Sequence, residues 1–114
     1  MSTEKRVRRI FEKLPETFVP ENAQGVKATI QFHLTGDGSG DWLVSIADGR
    51  VLVEERQIDK ADLTLTLSAA DYAAITSGES SAMILYALGR IKADGNLSLV
   101  MKFREMFDPS RVDQ

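Results

Sequence analysis

The stretch ADLTLTLSAADYAAITSGESSAMILYALGRIKADGNLSLVMKFREMF, residues 61–107, decides the fold of this chain. Leu63, Leu65 and Leu67 alternate with Asp62, Thr64, Thr66 and Ser68, the period-two pattern of a half-buried strand. Ser68 with Asp71 resembles a capping box, Asp standing in for Glu, and opens a helix that should end at the C′ glycine Gly78. Ser80 or Ser81 caps a second helix over 82–88, stopped by Gly89. Residues 91–93 read as a short strand and Asp94-Gly95-Asn96 as a turn, with Asn96 capping a last helix that Asp108-Pro109 ends. Seven of the 11 residues 97–107 are large and apolar: Leu97, Leu99, Val100, Met101, Phe103, Met106 and Phe107. A surface helix needs a single apolar stripe. This one must be deeply buried, or cover something that is not protein.

Upstream, Val7, Ile10, Phe11 and Leu14 follow i, i+3, i+4, i+7 and predict a helix over 3–14, capped by Ser2 or Thr3 and ended by Pro15. Residues 15–25 read as a loop with an apolar island, Phe18-Val19. Residues 26–35 alternate: Val26, Ala28, Ile30, Phe32 and Leu34 on one side, Lys27, Thr29, Gln31, His33 and Thr35 on the other. After a glycine-rich turn at 36–40, Trp42, Val44 and Ile46 continue the pattern, and Asp48-Gly49 is a type I′ hairpin signal leading into 51–55. Three strands thus form an antiparallel meander, and a polar connector, 56–60, leads to the fourth. The sheet has one polar and one apolar face, and helices must cover the apolar one.

A chain of 114 residues is one domain, 1–114, by length, and its 43% hydrophobic and 27% charged composition is that of a globular protein. There is no Cys, which removes disulfides, thiolate metal sites and cysteine nucleophiles and fits a reducing compartment. No apolar run is long enough to span a bilayer, no secretory h-region is visible, and the closing RVDQ carries no address motif. A soluble, cytoplasmic protein is expected. Residues 1–13 hold Lys5, Arg6, Arg8, Arg9 and Lys13 against Glu4 and Glu12, hence 5 − 2 = +3, leaving −6 for the remainder of a chain whose total is −3. An acidic body with a basic cap argues against nucleic-acid binding, which wants a broad basic face.

Catalytic patterns are missing. His33, the single histidine, lies on the polar strand face, where an acid–base role would need an orienting carboxylate and a pocket. Asp37 and Asp41 lack the ligand spacing of a calcium loop, and the adjacent Glu54 and Glu55 face opposite sides of a strand. Residues 36–40 match neither a P-loop nor a dinucleotide fingerprint, and Ser39 lacks a nucleophile elbow. No cofactor or metal is implied. The basic first helix could rest on anionic headgroups in transient membrane contact, but its stripe also suits packing on the body. What remains is the apolar surplus. Met83, Met101 and Met106 fit a dense core with adaptable filler, or the lining of a ligand tunnel.

The order of these elements resembles the sterol carrier protein-2 domain family, in its bacterial stand-alone form. LPETFVPENAQGVKATIQFHLTG is similar to the family's entry segment, and DWLVSIADGRV to its Trp-containing strand and hairpin. Ala61-Asp62, Gly78, Gly89-Arg90-Ile91-Lys92, Gly95 and residues 99–103 resemble its most recognisable anchors. The resemblance implies an α+β domain, a twisted, mostly antiparallel five-stranded sheet with helices over one face, and an apolar tunnel between them. It implies a non-enzymatic carrier of a sterol, fatty acid, fatty acyl-CoA or phospholipid. The expected lining is Ile30, Phe32, Trp42, Val44, Ile46 and Leu65 on the sheet, with Ile75, Met83, Tyr86, Val100, Met101 and Phe103 on the helices. Trp42 and Tyr86 could set a polar tip near a headgroup. Two rivals stand beside this expectation. One is an accessory protein presenting an isoprenoid or quinone-type intermediate to an enzyme partner. The other is an enzyme acting on a lipid, which needs His33 turned inward.

Overall fold

The computed structural model describes residues 2–108. Its elements run α1 (Thr3–Thr17), β1 (Ala28–Thr35), β2 (Gly40–Ala47), β3 (Arg50–Glu54), β4 (Leu63–Ser68), α2 (Ala69–Ser77), α3 (Ala82–Ala87), β5 (Lys92–Gly95) and α4 (Ser98–Met106). A 3-10 turn, Pro20–Ala23, lies between α1 and β1. The strands form one α+β sheet in the order β3-β2-β1-β4-β5. Three of its pairings are antiparallel, and β1 with β4 is parallel.

The expected meander is present. Ile30 pairs with Val44 and Phe32 with Trp42, while Val44 pairs with Val53, so their side chains share one face. Leu63, Leu65 and Leu67 of β4 join them opposite Ile30, Phe32 and Leu34. The hairpin at Asp48-Gly49 has φ of 55° and 71°, as a type I′ turn requires at both central residues.

Because β1 and β4 run parallel, the chain leaving β3 must cross the back of the sheet. Gln31 holds that crossing. Its amide nitrogen donates to the carbonyls of Trp42 (3.1 Å) and Arg56 (3.0 Å), and its oxygen accepts from the Ile58 N–H (2.9 Å). The alternation alone put Gln31 on a polar face, yet it is 3% exposed, as is Leu43 on the same face. At the start of β4 the Asp62 carboxylate accepts from the Thr29 N–H (2.8 Å), and the Asp62 N–H donates to Thr29 Oγ1 (3.0 Å).

Several boundaries differ from the sequence reading. Pro15 does not end α1, which continues to Thr17. A proline in the last turn forfeits one backbone bond, and Thr17 Oγ1 donates to the Leu14 carbonyl at 2.8 Å. Strand β1 begins at Ala28 rather than 26, and β3 at Arg50 rather than 51. Asp94 and Gly95 belong to β5, paired with Thr64 and Leu63, and the turn follows at 96–97. Gly95 has φ 115°, and a Cβ there would collide with the Asp62 carbonyl. The cap position of α4 is Leu97 rather than Asn96, whose side-chain oxygen accepts from the Ser98 N–H at 3.1 Å. Pro109 and the closing RVDQ, on which two expectations rest, lie outside the described residues.

The far end of α4 is stitched to the segment after α1. Val19 N–H donates to the Met106 carbonyl and Asp108 N–H to the Thr17 carbonyl, both at 2.7 Å, and Phe18 bridges to Phe107. Gln31→Ala would strand the Ile58 N–H and two carbonyls under the crossing segment. The expected loss is about 2–3 kcal/mol of unfolding free energy in urea denaturation. A loss below about 0.5 kcal/mol would mean that the crossing does not depend on this side chain.

Candidate functional site

The space between the apolar sheet face and the helices is organised by aromatic rings. Phe11 of α1, fully buried, stacks on Trp42 of β2 (centroids 4.6 Å apart, planes at 8°) and on Tyr72 of α2 (5.0 Å, 14°). Phe32 of β1 meets Phe11 edge-on at 5.3 Å. A second set continues toward α4, with Phe103 at 5.8 Å from Phe32 and 4.5 Å from Phe107. Arg8 lies over the outer side of Trp42, 5.4 Å from its centroid, and is forked to Glu55 by two 3.2 Å bonds.

The twelve expected lining residues divide into three groups. Ile30, Phe32, Trp42, Val44 and Ile46 are buried in the core cluster. Leu65, Ile75, Val100 and Phe103 are half-buried and pack against it. Met83, Tyr86 and Met101 are 71%, 53% and 60% exposed and stand outside it. The sequence reading left Phe11 and Tyr72 out of the site, although each lay on an apolar helix position. The last helix, expected either to be deeply buried or to cover something that is not protein, buries Leu99 and Met106 and leaves Met101 exposed, with Leu97 just before it half exposed.

Helix α3 explains the exposure. Of its six residues only Leu85 is buried, while Met83 and Ile84, with Leu88 just beyond the helix, face outward. The segment is latched beyond its end by Arg90, which grips the Asp71 carboxylate with two bonds of 2.7 and 3.1 Å. Asp71 sits in the first turn of α2 and its side chain is mostly buried, so this pair is better shielded than the surface pairs. Helix α4 is likewise stitched at one end and half-buried along its length.

Polar groups are sparse here. His33 points away from the apolar face, its Nδ1 hydrogen-bonded to Asp41 Oδ1 at 2.5 Å. It borders a cleft of about 310 Å³ on the back of the sheet, with Gln57, Asp59, Thr64 and Thr66. A second open cleft, of about 320 Å³, is lined by residues of both α1 and α2. Tyr72 brings a phenol into the ring cluster, and burial pushes its pKa well above the ordinary tyrosine value.

The sequence profile of the SCP-2 sterol transfer family matches residues 8–108. The chain belongs to that family. Among curated relatives it is 27% identical over 103 residues to human sterol carrier protein 2, covering 85% of this chain and 19% of that protein. It is 23% identical over 101 residues to rat hydroxysteroid dehydrogenase-like protein 2, covering 88% and 19%. The chain thus spans about a fifth of the length of the curated relatives it matches. The sec-alkylsulfatase Pisa1 from Pseudomonas sp. contains the same fold, with TM-score 0.76 at 20% identity over 87% of this chain and 16% of that one. The Aedes aegypti sterol carrier protein-2 complex with palmitate aligns with TM-score 0.63 at 24% identity, covering 89% and 91%. A UbiJ-SCP2 ubiquinone synthesis protein aligns with TM-score 0.62 at 15% identity, covering 89% and 88%. These structural likenesses concern the fold.

The buried phenol gives a test of how tightly the ring cluster is sealed. A folded-state pKa raised above the unfolded value near 10 means that the unfolded chain loses this proton first. Stability from this group is therefore level below about pH 10 and falls above it, by up to about 1.4 kcal/mol per pH unit. Tyr72→Phe should remove that part of the alkaline slope in denaturant titrations between pH 9 and about 11.5. Equal slopes for both proteins would mean that water reaches the phenol.

Proposed function

We infer that the chain is a carrier that binds an apolar lipid without transforming it, holding the lipid between the sheet and α2, α3 and α4. The observation that carries this reading is the state of α3 and α4. Met83, Ile84, Tyr86, Leu88, Leu97 and Met101 are all at least half exposed, while Ile75, Val100, Phe103 and Leu65 beneath are only half-buried. Apolar surface left this open is costly in water, and an acyl or polycyclic chain would cover it at about 0.8 kcal/mol per buried CH₂. The proposed lining keeps Ile30, Phe32, Trp42, Val44 and Ile46 as the floor. Met83, Tyr86 and Met101 form the mouth. Because stacked rings fill the centre of the apolar face, the lipid enters at the α3–α4 side, with those two helices moving outward.

The cargo class is a sterol, fatty acid, fatty acyl-CoA or phospholipid. The bound palmitate of the Aedes aegypti relative supports an acyl chain. A second reading, presentation of an isoprenoid or quinone-type intermediate to an enzyme partner, is supported by the likeness to a ubiquinone synthesis protein. A cytoplasmic setting accords with the cysteine-free composition. The outward histidine supports a carrier over a lipid-modifying enzyme.

A fluorescent fatty acid should bind saturably, and native mass spectra of gently purified protein should show a retained lipid. Val100→Glu should weaken that binding at least about tenfold by placing a charge in the apolar lining. Leu52→Glu, on the back of the sheet, should leave it unchanged. Neither saturable binding nor retained lipid would sink the reading. Cutting the latch with Asp71→Ala should speed fluorophore entry in stopped-flow traces and raise amide exchange over residues 79–90, while a variant with both rates unchanged would show that α3 does not gate the site.

A further inference from the structure

The geometry points to a second binding site, for a phosphomonoester or diphosphate group, in the cleft between α1 and α2. Helix α1 sorts its charges by face. Glu4, Arg8 and Glu12 recur at i, i+4, i+8, and Arg8 is neutralised further by Glu55. Arg6, Arg9 and Lys13, with Ile10 between them, recur at i, i+3, i+4, i+7, a cationic stripe whose next member on the helix, Glu16, lies outside the cleft lining. That stripe borders the cleft of about 320 Å³.

The opposite wall is why the cleft exists. Helix α2 presents Ala73, Thr76 and Ser77, again at i, i+3, i+4, and all three side chains are small. They leave space where larger residues would have closed the helix pair, and they add no negative charge. The hydroxyls of Thr76 and Ser77 donate to the carbonyls of Ala73 and Ala74, at 2.9 and 3.1 Å, so the cations are left to bind an anion. Ile10 and Ala73 give the floor an apolar patch.

Charge decides the ligand class. Lys13 is paired with Glu16 at 3.2 Å, whereas among the described residues neither Arg6 nor Arg9 has a carboxylate partner. The cleft therefore offers two uncompensated guanidinium groups, whose planar forks bind phosphate oxygens in pairs. A phosphomonoester carries about −1.5 to −2 at neutral pH and matches this pair, whereas a carboxylate supplies half as much charge. The cleft is distinct from the lipid space beneath α3 and α4, so either site can fail without the other.

The test is an amide NMR titration of the whole chain with inorganic pyrophosphate. A parallel arm uses phosphatidylcholine vesicles carrying either phosphatidic acid or phosphatidylglycerol at equal mole fraction. Saturable shifts at Ile10, Ala73, Thr76 and Ser77 with pyrophosphate would identify a soluble phosphate ligand. A response to phosphatidic acid that phosphatidylglycerol does not reproduce would identify a lipid phosphomonoester. Arg9→Gln should weaken the response about tenfold. Lys5→Gln, which removes the same charge from the same helix away from the cleft, should leave it within about twofold. Ser77→Glu should abolish it without touching α1, with circular dichroism confirming the fold. Equal loss in Lys5→Gln and Arg9→Gln, equal response to the two anionic lipids, or no saturable shift in either arm would overturn the site and leave only diffuse attraction to a basic helix.

Discussion

Phe11 is the residue on which the architecture turns. One side of its ring lies on Trp42 and the other on Tyr72, and its edge meets Phe32. It thus fastens the first helix and the second helix to two strands at the middle of the apolar face. Aromatic pairs of this kind add about 0.5–1.5 kcal/mol each beyond area burial. More important is where the rings sit. They close the apolar face where α1 and α2 pack, and α4 reaches that face through Phe103 against Phe32.

That division separates a rigid side from a soft one. On the rigid side Val7, Phe11, Leu14, Ala69 and Tyr72 are all buried. On the soft side a six-residue helix holds on through Leu85 and an ion pair, and α4 is stitched at its C-terminal end. Local stability follows the number of buried apolar contacts, so the low-stability part of the molecule coincides with its exposed apolar part. The proposed carrier role needs this pairing, because a wall that opens must do so while the rest of the fold stays shut.

Much of this was legible in the sequence where one period dominates. The alternation of Ile30, Phe32, Trp42, Val44 and Ile46 placed the sheet face, and Asp48-Gly49 placed its hairpin. Legibility failed where distant backbone decided the outcome. Gln31 reads as solvent-facing until a connector is known to cross it, and nothing local announces that β4 will lie parallel to β1. Asp94-Gly95 reads as a turn, but glycine stands there because Asp62 comes too close for a side chain. Helices α3 and α4 reveal how much apolar surface they carry, not which side carries it inward. Six residues hold too few turns to fix a phase, so the sequence pattern points Met83 and Tyr86 inward although they only border the interior.

The tie between Phe18 and Phe107 also bears on the order of folding. Its partners are far apart in sequence, at positions 18 and 107, so forming it closes a long loop, and the entropy of that closure must be met by contacts already in place. The sheet and the ring stack can assemble from residues already synthesised, but α4 cannot dock until residues 98–107 have followed them. During synthesis the apolar surface that α4 covers around Phe32 is therefore closed after the rest of the sheet has formed. In that interval the nascent chain is most open to aggregation.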